Sequence, residues 1–93
     1  MRGVIQWFAE KMEDELREND PKGGWHGCSY SYLCHKLLEE VGELVAILMD
    51  GENGNVTEEA ADIANYAMMI ADNACGPLPQ APSLLALKER RVR

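Results

Sequence analysis

The chain has 93 residues, which suits one compact domain and is too short for two cores of ordinary size. Hydrophobic residues make up 46% of it and charged residues 27%, a composition typical of a folded domain and not of a disordered chain. The net charge of −7 is opposite in sign to that of a surface that binds a nucleic-acid duplex, so this class of partner is not expected.

The sequence predicts a cytoplasmic protein. No apolar run approaches the roughly 20 residues that a membrane span requires, and the first residues lack a continuous apolar segment of secretory type. Three cysteines cannot pair completely within one chain, so reduced thiols are the simplest interpretation.

The first predicted element is an amphipathic helix over residues 4–18. Its apolar side chains follow three- and four-residue spacing at Val4, Ile5, Phe8, Met12 and Leu16. A loop follows to about residue 28, because turn formers, a proline and two glycines occupy the segment from Asn19 to Gly24.

Two longer helices are predicted over residues 29–50 and 56–75. Ser29 or Ser31 can cap the first of them, and Asn55 with Glu58 resembles a reciprocal cap for the second. The third helix carries one broad apolar stripe: Ala60, Ile63, Ala64, Ala67, Ile70 and Ala71. A final helix over residues 83–91 is marginal without a partner surface.

The predicted fold class is all-α, with no internal repeat and no segment that reads as a strand. The short connection between the second and third helices favours an antiparallel hairpin. One small chain cannot cover both sides of each helix, so the hairpin is expected to be the central unit of a homo-oligomer. The expected contact surface between subunits carries Leu38, Val45, Met49, Ala64 and Met68.

Two pairs of acids lie beside the apolar stripes of these helices. Glu40 and Glu43 are about 60° apart on the second helix, and Glu59 and Asp62 have the same relation on the third. In an antiparallel hairpin both pairs lie at similar depth, so four carboxylates can converge. They would repel one another at neutral pH unless some were protonated or a cation lay between them. Oxygen-only ligands favour Mg²⁺, with Mn²⁺ as the other candidate, and Mg²⁺ also binds substrate phosphates.

The acids also carry a family resemblance. The pattern EExxE at Glu39, Glu40 and Glu43, followed after fifteen residues by ExxD at Glu59 and Asp62, resembles the signature of the MazG-like nucleoside triphosphate pyrophosphohydrolases. The stretches 36–44 and 59–66 resemble the two helices of that family that carry these motifs. The resemblance covers about residues 4 to 75.

This resemblance implies helices that assemble into a four-helix-bundle-type core across a homodimer, sometimes paired into a tetramer. It also implies an enzyme that hydrolyses a nucleoside or deoxynucleoside triphosphate to the monophosphate and pyrophosphate, as in nucleotide-pool house-cleaning. Glu40, Glu43, Glu59 and Asp62 would hold Mg²⁺. Glu39 would accept a proton from the attacking water or take an outer position at the metal. Two alternatives stay open, a phosphoribosyl-ATP pyrophosphohydrolase and a noncatalytic acidic helical module that binds another protein.

Five further residues are candidates for substrate binding. Lys22, Lys36 and His26 can offset phosphate charge, although each of them is also compatible with a solvated surface. Trp25 can stack on a base or cover the end of the core. Asn73 is preferred to Asn65 as a contact to sugar or phosphate, because it lies nearer the angular position of Asp62.

Overall fold

The structure is a computed structural model that describes residues 1–51 and 55–76. Helix α1 spans Gly3–Asn19, α2 spans Tyr30–Met49 and α3 spans Val56–Ala74, and a short 3-10 helix covers Asp20–Lys22. No strand occurs within these ranges, which confirms the all-α prediction for this part of the chain. The predicted helix over residues 83–91 lies outside the described residues.

The helix boundaries follow from local chemistry. The Ser29 hydroxyl oxygen accepts a hydrogen bond of 3.1 Å from the Tyr32 N–H, which caps the start of α2. Asn55 is the N-cap residue of α3, but its side chain makes no capping hydrogen bond, so the predicted reciprocal cap is wrong. The loop after α1 begins with a proline-containing 3-10 turn that ends at Gly23, whose φ of 99° favours glycine.

Helix α3 is the central element, and the other two helices pack on it. Within residues 1–51 and 55–76, α1 and α2 do not pack directly on each other. The Asn65 amide donates a hydrogen bond of 3.0 Å to the Met12 carbonyl oxygen of α1. The Asn73 amide, near the end of α3, donates one of 2.9 Å to the Trp25 carbonyl oxygen, just before α2 begins. The start of α2 therefore lies beside the end of α3, and the two helices run antiparallel.

The face of α3 that the chain encloses differs from the predicted alanine-rich stripe. Ala61 and Asn65 are buried, whereas Ala67 and Ala71 are exposed. Helices α1 and α2 cover a face of α3 beside the apolar stripe, and this face also carries Asp62. Two packed helices therefore enclose polar side chains and leave small apolar ones outside.

The core of the described chain is very small. Leu33 is 1% exposed and Ala61 is fully buried, and they are the only buried hydrophobic residues among those described. Helix α2 instead exposes a continuous apolar face of large side chains: Leu38, Val41, Val45, Leu48 and Met49. None of the helices in residues 1–51 and 55–76 combines the length and apolar character needed to cross a bilayer.

Candidate functional site

The acidic side chains of α2 and α3 meet in one cluster. Carboxylate oxygens of Glu40, Glu43 and Glu59 all lie within 4.8 Å of one another. Asp62 is one turn beyond Glu59, and its carboxylate is close enough to Glu59 and Glu43 to be repelled by both. We call these four residues the acid site.

The acid site favours protonation when it holds no cation. Burial raises the pKa of Glu40 to about 8, and hydrogen bonds with Glu59 and Glu43 act in the same direction. The pKa of Asp62 is also raised, first by burial and then by the charge of Glu59. These raised pKa values show that ionising a further carboxyl in the acid site costs free energy, because several carboxylates compete for the same protons.

A further acid reaches the cluster from α1. Burial raises the pKa of Glu15 to about 7, with the charge of Asp62 and a hydrogen bond to Asp62 as further causes. The sequence analysis did not include Glu15 in the site. A signal was present, because Glu15 continues the three- and four-residue spacing of Phe8 and Met12 at a position where an apolar residue is expected.

The donor set and its spacing fit a small hard cation. Octahedral Mg²⁺ with bonds of about 2.0–2.1 Å places its oxygen ligands roughly 3 to 4 Å apart, which is comparable with the spread within the acid site. Glu59 Oε2 is also buried with no hydrogen-bond partner among the described residues. A bound cation would satisfy this oxygen and offset the repulsion among the carboxylates, which adds to the effect of burial on the pKa of Glu40.

A cavity of about 310 Å³ extends from Asp62 between α2, α3 and the loop before α2, and we call it the α3 cavity. Three of the predicted substrate-binding residues border it together: Lys22, Trp25 and Lys36. Asn65, Tyr66 and Met69 of α3 form another part of its wall. Asp62 and the two lysines in its wall make this cavity suitable for an anion that binds through a cation.

Lys36 connects the cavity to the first acid of the EExxE pattern. Its ammonium nitrogen lies 3.5 Å from Glu39 Oε2 and 5.9 Å from the centre of the Tyr32 ring. The charge of Glu39 raises the pKa of Lys36, so Lys36 is positively charged at neutral pH. Glu39 itself is exposed and lies outside the group of three close carboxylates.

The loop before α2 is fixed to the end of α3 by an acid that the sequence analysis did not single out. Asp72 Oδ2 accepts a hydrogen bond of 3.0 Å from the Trp25 indole N–H and lies 2.9 Å from His26 Nε2. His26 and Asn73 border a neighbouring cavity of about 340 Å³, which does not include Lys36. The five predicted substrate-binding residues are therefore divided between two adjacent cavities.

Asn65 and Asp72 share the enclosed face of α3 with Ala61. At about 100° per residue, the three side chains lie within roughly 40° of one another around the helix. The sequence signal for Asn65 and Asp72 was their helical spacing from Ala61, which places two polar residues on one face of the helix. Asn65 was only the second choice for a sugar or phosphate contact, and Asp72 was not among the predicted residues.

No protein family, curated protein or solved structure matches the chain in comparisons of its sequence and fold.

Proposed function

We propose that the protein hydrolyses a nucleoside or deoxynucleoside triphosphate to the monophosphate and pyrophosphate with Mg²⁺ or Mn²⁺ as cofactor. The observation that carries this proposal is that Asp62 of the acid site borders the α3 cavity, whose wall also holds two lysines and an indole. Such a cavity can receive a triphosphate at its acidic end only if a cation neutralises the opposing charges.

Glu40, Glu43, Glu59 and Asp62 would hold the metal ion. When bound, Mg²⁺ supplies charge neutralisation for phosphate oxygens and lowers the pKa of a coordinated water. The protein contributes carboxylates from two antiparallel helices, so the positions of the ligands are fixed by helix packing.

Two exposed residues beside the acid site supply the remaining polar chemistry. Lys36 is positioned to donate to a phosphate oxygen, and in doing so it would exchange its contact with Glu39 for one with the substrate. Glu39 would then be free to accept a proton from the attacking water. Trp25 also borders the cavity, and because its indole N–H is bonded to Asp72, stacking is the contact that it would offer to a base.

The test is pyrophosphate release from a panel of ribo and deoxy triphosphates, with phosphoribosyl-ATP included, in Mg²⁺, in Mn²⁺ and in chelator. We expect metal-dependent release of pyrophosphate and a monophosphate. Four variants should each lower turnover by about 100-fold or more while the helical circular dichroism is kept: Glu40→Gln, Glu43→Gln, Glu59→Gln and Asp62→Asn.

Glu58→Gln is the matched control for these variants, because Glu58 is exposed on the same helix and lies outside the acid site. It should retain the parent rate. Activity on phosphoribosyl-ATP alone would assign the alternative substrate. The absence of pyrophosphate release from every nucleotide would refute the proposal and favour the noncatalytic interaction module.

We further propose that a second copy of the chain covers the exposed face of α2. The exposed fractions of Leu38, Val45 and Met49 are 70%, 51% and 81%, and covering them would supply the apolar burial that the small core lacks. Ala64 and Met68, which the sequence placed on the same contact surface, are half-buried within the chain.

Light scattering tests this assembly. We expect the parent to have at least twice the mass of one chain and Leu38→Glu to shift the protein towards the monomer. His35→Glu introduces the same charge at an exposed polar position of α2 and should leave the mass unchanged. A parent that is monomeric at assay concentration would contradict the proposal.

A further inference from the structure

One buried polar atom in the wall of the α3 cavity has no partner. Asn65 is 4% exposed, and its Oδ1 atom has no hydrogen-bond partner among the described residues. An enclosed oxygen that loses its hydrogen bonds to water without replacing them costs about 1–3 kcal/mol. A buried asparagine with one satisfied end and one unsatisfied end therefore has a polar group available for a ligand.

The orientation of the Asn65 amide is determined by chemistry. The Met12 carbonyl oxygen can only accept a hydrogen bond, so the group that faces it at 3.0 Å must be the Asn65 amide nitrogen. The Asn65 oxygen therefore lies on the other edge of the amide group, and the side chain borders the α3 cavity. This orientation fixes the oxygen as an acceptor and selects a ligand group that donates.

The requirement for a donor excludes most parts of a nucleotide. Phosphate oxygens are acceptors at neutral pH and cannot satisfy the oxygen of Asn65, whereas sugar hydroxyls and base N–H groups can. The position of Asn65 along α3 distinguishes the sugar hydroxyls from the base N–H groups. Asn65 lies about 4–5 Å beyond Asp62 along the helix axis, whereas Asp72, which holds Trp25, lies about 15 Å beyond it. The sugar is the first part of a nucleotide to follow the phosphates, so it reaches the level of Asn65 before the base does.

We propose that Asn65 is a specificity-determining residue whose side-chain oxygen accepts a hydrogen bond from a sugar hydroxyl of the nucleotide. This inference rests on the proposed function for the placement of the phosphates at the acid site. Met12 of α1 holds the amide in its orientation, so α1 takes part in ligand selection although it contributes no residue to the EExxE and ExxD motifs. The 2′- and 3′-hydroxyls have the same chemistry, and ligands that lack one or the other distinguish them.

The test measures binding, so that it does not depend on turnover. Calorimetry in Mg²⁺ compares α,β-imido triphosphates of one base that carry ribose, 2′-deoxyribose, 3′-deoxyribose or 2′,3′-dideoxyribose, with inorganic tripolyphosphate as the reference. Removing the recognised hydroxyl should weaken binding to the parent protein by about 5- to 150-fold. The dideoxy ligand should then approach the affinity of tripolyphosphate more closely than the others do.

Asn65→Leu should abolish this discrimination, so that ligands with and without the hydroxyl bind within about twofold of each other. Asn55→Leu is the matched control, because Asn55 is an exposed residue of the same type at the start of α3 with no side-chain capping bond. It should retain the discrimination of the parent. The ligand series on the parent decides the question even if Asn65→Leu does not fold.

Equal affinities across the sugar series for the parent protein would overturn the inference. Hydroxyl discrimination that persists in a folded Asn65→Leu variant would overturn it as well. If hydroxyl dependence is found but no nucleotide releases pyrophosphate, the proposed hydrolysis fails and the Asn65 assignment stands. If pyrophosphate is released at equal rates and affinities for all sugars, only the Asn65 assignment fails.

Discussion

The protonation of the acid site leads to a prediction about stability without metal. Replacing Glu40 by glutamine mimics the protonated carboxyl in size and retains a donor for Glu59 and Glu43. In the folded protein the pKa of Glu40 is raised from 4.5 to about 8, so folding favours the protonated form. The stability gained from this proton is fully present below pH 4.5 and is lost as the pH rises through about 8. The parent should therefore become less stable as the pH rises from 4.5 to about 8, and Glu40→Gln should lose less stability over the same range.

The magnitude follows from the size of the shift. One pKa unit corresponds to 1.36 kcal/mol, so the full shift would amount to roughly 4–5 kcal/mol for an enclosed carboxyl. Glu40 is only half-buried, and solvent screening reduces the expected effect to about 1–2 kcal/mol. In chelator at pH 8.5, the free energy of unfolding of Glu40→Gln should exceed that of the parent by this amount. At pH 4.5 the two free energies should be equal.

Urea denaturation followed by circular dichroism at fixed protein concentration measures the difference. Adding Mg²⁺ should reverse the order, because a ligand at 100 times its dissociation constant stabilises the parent by about 2.7 kcal/mol and the variant has lost one carboxylate ligand. A parent whose stability is constant between pH 4.5 and 8.5 would refute this reasoning. So would a Glu40→Gln variant that is less stable than the parent in chelator at pH 8.5.

Three further predictions concern the residues around the acid site. In chelator at pH 8.5, Glu15→Gln should stabilise the protein by less than about 1 kcal/mol, because the pKa of Glu15 is raised in the same direction as that of Glu40. A loss of stability in urea denaturation would contradict this prediction. Lys36→Met should weaken the binding of tripolyphosphate in Mg²⁺ by roughly tenfold in calorimetry, and an unchanged affinity would remove Lys36 from the phosphate site. Trp25→Phe removes the indole N–H bonded to Asp72, so the free energy of unfolding should fall by about 1–3 kcal/mol. A value equal to that of the parent would show that the loop is held without this bond.

The amino-acid sequence by itself determined the helices. Apolar spacing defined α1 to α3, and the breaks around Asp20 and Asp50 left each predicted end within about one residue of the observed boundary. Ser29 was correctly identified as a candidate cap. These features are local, since periodicity, capping and turn chemistry act over a few residues. The positions of the acids around α2 and α3 are local in the same way, which is why their convergence could be predicted.

The tertiary structure decided which helix faces are enclosed and which acids meet. Periodicity fixes the angular position of a side chain on its helix, but it does not specify which neighbouring helix covers that position. For this reason the sequence favoured the alanine-rich face of α3, whereas packing of α1 and α2 enclosed the face of Asn65. The contribution of Glu15 from α1 and the raised pKa of Glu40 likewise depend on burial by other helices, because desolvation and charge repulsion are properties of the packed cluster and not of any single segment.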